Sequence, residues 1–294
     1  MKKFLTALAV VGLAVVAAGL LLTRPKTVDT ARFASLEADS SRGETVFWAG
    51  GCASCHKAEG SEDALALPGG RRFVTQFGTF VAPNISPDAT HGIGGWTLDQ
   101  FASALLEGTS PEGEHYYPSF PYATYAKMTD QDVADLWAFL QTLPAEDRAN
   151  EAHELGFPFN IRLTLGGWKM LFLNEDWVLT DASDPQLERG RYLVEALGHC
   201  AECHTPRNAL GGLDTSRWMA GAPNPSGKGN IPGIAPGKLD WAAEDIAYYL
   251  ETGFTPEFDS AGGEMTEVVA NMSKLSAEDR AAIAVYVKAV PAVE

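Results

Sequence analysis

The pentapeptide Cys-x-x-Cys-His occurs twice, as Cys52-Ala-Ser-Cys55-His56 and Cys200-Ala-Glu-Cys203-His204, and the two copies use every cysteine in the chain. A zinc site built from both pairs would have to gather Cys52, Cys55, Cys200 and Cys203 across almost half the chain. It would also leave both trailing histidines without a role. A dithiol redox motif calls for a strand–helix–strand context and a single copy.

Covalent attachment of haem c uses every residue of the pattern. The two thiols add across the haem vinyl groups, and the next residue is tethered beneath the iron as its proximal ligand. Cys52, Cys55 and His56 are therefore the candidate residues of one haem site, and Cys200, Cys203 and His204 those of a second. Haem attached in this way implies an exported protein. The N-terminus agrees: Lys2 and Lys3 precede an uncharged apolar run from Phe4 to Leu22, followed by Thr23, Arg24, Pro25 and Lys26. The run has the ~20 residues that cross a bilayer and exceeds a usual signal core. Residues 1–26 are accordingly read as a membrane anchor, with a cleavable signal segment as the other reading. The expected location is the bacterial inner membrane, with Lys2 and Lys3 cytoplasmic and the body periplasmic.

A chain of 294 residues has room for about two domains, and an internal repeat shows how they divide. Arg42-Gly43 to Trp48 and Arg189-Gly190 to Val194 each precede a haem motif as a helix-like stretch. Trp96 to Gly108 parallels Trp241 to Gly253, both with helical apolar spacing, an acidic first turn and a glycine stop. Thr129-Asp-Gln-Asp132 and Ser276-Ala-Glu-Asp279 are capping-box-like starts of a closing helix, with Met128 and Leu275 in the preceding staple position. The offset between copies is 148 at the cysteines, 145 at the tryptophans and 147 at the last helix. The expected fold is all-α: an N-terminal hydrophobic helix, then domains over 38–146 and 184–294, each wrapped around a covalent haem. Residues 147–183 form a linker whose apolar stretch from Phe157 to Phe172 is expected to pack across both domains, with packing against a partner as the other reading.

The formal charge of −16 excludes nucleic acid as a partner and disfavours anionic lipid headgroups. An acidic surface of this kind suits a basic redox partner.

These residues resemble the diheme class I cytochrome c family, and within it the cytochrome c subunits of periplasmic membrane-associated alcohol and sugar-acid dehydrogenases. The resemblance rests on Gly198-His-Cys-Ala-Glu-Cys-His-Thr-Pro-Arg-Asn208, Ala82-Pro-Asn-Ile-Ser-Pro87 and Tyr117-Pro-Ser-Phe-Pro-Tyr122. Phe157-Pro-Phe-Asn-Ile-Arg162 and Gly166-Gly-Trp-Lys169 add to it. It covers residue 38 to the end. Those subunits often carry three haem motifs where this chain has two.

The resemblance implies two tandem class I cytochrome c domains and a methionine as second axial ligand, which raises the potential. In the second repeat, Gly262-Gly-Glu-Met265 looks like the family's ligand loop, with Met272 as competitor. In the first, Phe120-Pro-Tyr122 replaces the family's Met-Pro-Tyr, and Met128 is the implied ligand. His115 is the alternative there and His91 the third choice. His153 is expected on the linker surface, and His199 beside the second motif rather than on its iron. The carbonyls near Pro83 and in the Ile234-Ala-Pro236 loop are implied acceptors for the ring nitrogens of His56 and His204. Arg71, Arg72, Trp96, Arg207 and Trp241 are candidates to meet propionates.

The expected function is that of a membrane-anchored diheme electron carrier. It would link a dehydrogenase or quinol-oxidising complex to an oxidase or soluble cytochrome, with two covalent haem c groups as cofactors. The alternative is a haem enzyme, peroxidase-like or oxidising a small sulfur compound, with an open site at the first iron. No catalytic triad, phosphate loop or nicotinamide fingerprint appears in the sequence.

Overall fold

The apolar run folds as α1 (Lys2–Leu22), a helix with mean hydropathy 2.6 and no face covered by protein, in the computed structural model, which describes residues 1–293. At ~1.5 Å per residue it is about 31 Å long, which matches the ~30 Å hydrocarbon core of a bilayer.

The body follows in two halves with the same order of helices. The first half runs α2 (Ser40–Ala49), α3 (Cys52–His56), β1 (Arg72–Thr75), β2 (Gly78–Val81), α4 (Leu98–Glu107), α5 (Tyr122–Tyr125) and α6 (Asp130–Leu140). A connecting segment carries β3 (Glu154–Leu155) and α7 (Thr164–Phe172). The second half runs α8 (Pro185–Tyr192), α9 (Ala201–His204), β4 (Ala222–Pro223), β5 (Asn230–Ile231), α10 (Ala243–Thr252), α11 (Met265–Met272) and α12 (Ala277–Ala289). The fold is therefore mostly helical, with short strands that the helical reading did not anticipate. β1 and β2 form an antiparallel hairpin on which β3 adds as a third strand, and β4 pairs with β5. β1, β2, β4 and β5 lie in the loops after the two haem motifs, where extended chain must pair its backbone groups if it is to be covered.

Local chemistry sets the helix ends. Asp39 accepts from the N–H groups of Ser41 and Arg42 to start α2, and Asp184 does the same for Gln186 and Leu187 at α8. Thr129 and Ser276 accept from the Asp132 and Asp279 N–H groups, as the capping pattern requires. Gly108 and Gly253 end α4 and α10 in the left-handed conformation (φ 57° and 77°), which glycine adopts without a Cβ penalty.

The first and last helices of each half cross at a glycine. A Cβ on Gly43 would lie 2.0 Å from the Asp135 carbonyl oxygen of α6, and one on Gly190 would lie 2.0 Å from that of Ala282 in α12. Each crossing is fastened by an arginine on a carboxylate. Arg42 Nε donates to Asp135 at 2.7 Å and Arg189 Nε to Asp279 at 2.7 Å. Asp135 is fully buried and also accepts from the Asp39 N–H (2.7 Å) and the Gln131 amide (2.8 Å).

The connecting segment packs on both halves. Lys169 of α7 is buried and caps α4, its Nζ donating to the carbonyls of Glu107 (2.6 Å) and Gly108 (2.7 Å). Further along, the Val178 and Leu179 N–H groups donate to the buried Glu195 carboxylate at 2.7 and 3.0 Å. His153 is half-buried rather than fully on the surface of this segment: its ring stacks edge-on against Phe80 and Tyr117, and its Nδ1 accepts from the Val81 N–H at 3.2 Å.

Two predictions follow from the crossings. Alanine normally favours a helix over glycine by about 1 kcal/mol, yet Gly43→Ala should lower stability by about 1–3 kcal/mol through overpacking, measured by denaturant unfolding under circular dichroism. The second concerns acid. Burial pushes the Asp135 carboxyl up, but the Arg42 guanidinium, the Asp39 N–H and the Gln131 amide outweigh it and hold its pKa below the usual carboxylate range. The stability that it supplies is present above the unfolded carboxylate pKa and is lost as pH falls through the lower folded value. Acid titration of the wild type should show this loss, and Asp135→Asn should remove that part of the pH dependence.

Candidate haem centres

Each haem motif begins at a residue with positive φ. Gly51 (φ 63°) precedes Cys52, and at the equivalent place His199 (φ 37°) precedes Cys200. The reversal turns the chain from the preceding helix into the short helix of the motif. Within that turn both cysteines and the histidine lie on consecutive backbone hydrogen bonds, such as His204 N–H to Cys200 O at 3.0 Å.

The two candidate iron ligands are held in the same way. His56 Nδ1 donates to the Pro83 carbonyl at 2.8 Å, and His204 Nδ1 donates to the Pro232 carbonyl at 2.7 Å. A ring nitrogen facing a carbonyl must carry the proton, so in both cases Nε2 holds the lone pair and is free to face a metal. The acceptor for His56 is the expected one. That for His204 lies two residues before the expected 234–236 loop. Loop glycines complete each clamp: Gly69 N–H donates to the His56 carbonyl at 2.8 Å and Gly221 N–H to that of His204 at 2.7 Å. Both glycines have positive φ, and a Cβ on Gly69 would stand 2.4 Å from the Pro83 carbonyl oxygen.

Burial lowers the pKa of both histidines, which keeps the rings neutral as metal ligands must be. Burial likewise pushes the Cys52 thiol up to about 12 and those of Cys55 and Cys200 to about 11. These are not the low-pKa thiolates of a redox dithiol. All four cysteines are free, and among the described residues no cluster of three or more His, Cys, Asp or Glu side chains is arranged to hold a metal ion. The donor set thus fits covalent haem with an axial histidine and does not fit zinc. Cys52, Cys55 and His56 would hold one group, and Cys200, Cys203 and His204 the other.

The sixth-ligand candidates differ in placement. Met128 is buried (5 % exposed) in the turn between α5 and α6, within the hydrophobic core. Met265 is half-buried at the start of α11, and Met272 is buried at its end. His115 is buried but turned away, its Nε2 donating to the Thr23 carbonyl at 2.9 Å, at the end of α1. His91 sits 3.8 Å from Asp88 in its own turn. Phe120 packs among the rings of Tyr116, Tyr122 and Tyr125. Of the candidate propionate partners, Arg71 is paired with Glu264 and Arg72 with Glu151, while Arg207 is paired with Glu202.

The sequence reading missed how the two motifs meet. Ser54, inside the first motif, accepts from the Asn271 amide of α11 at 2.7 Å. Glu202, inside the second, accepts from Thr124 of α5 at 3.4 Å. Each half therefore lays the helix before its closing helix on the haem motif of the other. Lys57–Glu267 (2.8 Å) and Arg71–Glu264 (2.7 Å) join the halves again. His199 lies at the centre of this seam: its ring stands edge-on to Tyr125 (6.0 Å), whose hydroxyl donates to the Gly50 carbonyl at 2.9 Å. Single residues such as Asn271 and Thr124 leave no sequence signal for such a crossover. The conspicuous one was His199, a non-glycine residue where the repeat places Gly51.

Comparison with known proteins gives the family. The cytochrome c family model matches residues 40–144. A diheme cytochrome c-type protein of Cereibacter sphaeroides is 61 % identical over the full length of both chains. The fructose dehydrogenase cytochrome subunit of Gluconobacter japonicus is 38 % identical over 86 % of this chain and 52 % of its own length. The gluconate 2-dehydrogenase cytochrome c subunit of Pantoea cypripedii is 33 % identical over 90 % of this chain and 63 % of its own. The chain thus spans between about half and two thirds of the length of these dehydrogenase subunits and the whole of the first relative. On the motif, the histidine clamps and these relatives together, the chain belongs to the cytochrome c family.

Proposed function

We propose that this protein is a membrane-anchored periplasmic diheme electron carrier, built as two tandem class I cytochrome c domains over residues 38–146 and 184–294. The observation that carries the reading is the pair of matched clamps, His56 on Pro83 and His204 on Pro232, each directly after two free cysteines. When bound, haem c supplies the one-electron chemistry. The chain's own residues set where it happens. The clamps fix the plane and tautomer of each proximal histidine, and the buried surroundings keep those rings neutral. Met128 and Met265 are the proposed second axial ligands, which would raise both potentials relative to bis-histidine ligation.

The seam between the halves supports electron passage from one centre to the other. The two motifs face each other through Ser54–Asn271, Thr124–Glu202 and His199, so a fixed protein contact rather than a flexible tether sets the separation. The proposed donor is a dehydrogenase or quinol-oxidising complex, in keeping with the named dehydrogenase subunits among its relatives. The proposed acceptor is a soluble cytochrome or oxidase, approached through the acidic surface of a chain with net charge −16.

Intact mass spectrometry of protein from a host with the haem-attachment machinery tests the central point. The mass should exceed that of the polypeptide by two haem groups. Free thiols and an unmodified mass would refute the proposal. The ligands are tested separately by spectroelectrochemical titration. Met128→Ala and Met265→Ala should each lower the potential of one haem by on the order of 0.1 V, a fraction of the ~0.8 V that axial ligands span, and leave the other unchanged. A Met128→Ala protein with both potentials and both low-spin spectra intact would remove that residue from the assignment.

A further inference from the structure

Half of the large hydrophobic side chains that the body leaves exposed fall in one short segment. Outside Met1 and α1, twelve such residues are exposed among the described residues, and six of them lie between positions 157 and 171: Phe157, Phe159, Ile161, Leu163, Met170 and Leu171. Phe157 is 82 % exposed and Leu171 64 %. Leu163, which caps α7 in helical conformation, shares one face with Met170 and Leu171, because residues seven and eight apart return to the same side of a helix. The opposite face is fixed to the protein by buried Lys169 and by Trp168, whose Nε1 donates to the Leu210 carbonyl at 3.2 Å. The tip of the β1–β2 hairpin extends the same surface, with Phe77 stacked edge-on to Phe159 at 4.9 Å. This is a rigid apolar ledge.

Its position says what covers it. The backbone of α7 touches the end of the apolar N-terminal helix: a Cβ on Gly166 would stand 2.2 Å from the Thr23 carbonyl oxygen. The same carbonyl accepts from His115 Nε2, and Arg162, next to the ledge, donates to the His115 carbonyl at 2.9 Å. No tether separates α1 from the body at this point. A bilayer that holds α1 up to Leu22 therefore has its interface level with the ledge.

We infer that residues 157–171, with the β1–β2 hairpin tip, are a second membrane contact, an interfacial ledge that inserts its apolar side chains among the lipid headgroups and upper acyl chains. This rests on the proposed anchoring by α1. A helix lying in the interface with one apolar face toward lipid is a known mode of membrane attachment. Here the contact is apolar and the chain is acidic, so it does not depend on anionic lipid. Its effect is to hold the body in one orientation at the membrane, with the anchor and the ledge as two fixed points.

The test uses the full-length haem-loaded protein in phosphatidylcholine vesicles containing a lipid-soluble carbene photolabel, with labelled peptides mapped by mass spectrometry. The expected result is labelling of α1 and of 157–171, while the exposed loop around Phe254 and Phe258 stays unlabelled and high salt changes nothing. Phe157→Ser combined with Leu163→Ser and Leu171→Ser, all surface positions, should lose the 157–171 label and keep that of α1. Label in α1 alone overturns the ledge and leaves the anchor standing. Label in neither region overturns the anchor and the ledge with it. Protection of 157–171 that follows protein concentration rather than lipid would assign the surface to a second copy and overturn the inference.

Discussion

The rest of the body is arranged around two hydrogen bonds from histidine to a proline carbonyl. A chain that is to present an imidazole to a metal has to fix which nitrogen carries the proton and which way the ring faces. In this chain, loop backbone does both. The Pro83 and Pro232 carbonyls can reach the rings only because the loops before them double back on Gly69 and Gly221, positions where a side chain would collide with the loop. The short strands after each motif pair the backbone of the same loops, Arg72–Thr75 with Gly78–Val81 before Pro83 and Ala222–Pro223 with Asn230–Ile231 before Pro232. The helical pairs, α2 with α6 and α8 with α12, then brace each motif from behind at the glycine crossings.

Much of this was legible in the sequence because it is local or repeated. The haem motif is a five-residue pattern, helix caps are read from four residues, and Gly43 and Gly190 stand out because the repeat places them in register. The Pro83 acceptor was legible through the Ala82-Pro-Asn-Ile stretch, and its counterpart Pro232 sits in register in Ile231-Pro-Gly-Ile234, a weaker match beside the more conspicuous Ile234-Ala-Pro236. β3 to β5 were not legible, since they are two-residue pairings created by the fold, whereas β1 and β2 carry Phe, Val and Thr of high strand propensity that the helical repeat overshadowed. His153 was read as surface because the segment around it is polar. The rings of Phe80 and Tyr117, far away in sequence, are what cover it.

The seam between the halves lay outside what a repeat can reveal. An internal duplication shows that two units share a plan and is silent on which surfaces meet. Ser54 and Glu202 occupy the variable positions of their motifs, where the attachment chemistry places no demand, and the fold uses that freedom to join the halves. His199 departs from the repeat at a left-handed position, which costs a non-glycine residue some backbone energy. Its ring contact with Tyr125 beside Gly50 is what the strained position provides.

The crossed placement of α5 and α11 bears on how such a protein can be assembled and can evolve. Each half lends the other a piece of its wall, so cutting the chain at the connecting segment would leave two fragments with an uncovered side. Neither unit is a detachable module, and loading of one centre should tighten the housing of its neighbour. Substitutions along the seam would consequently reach both halves, which ties their descent together as closely as their packing.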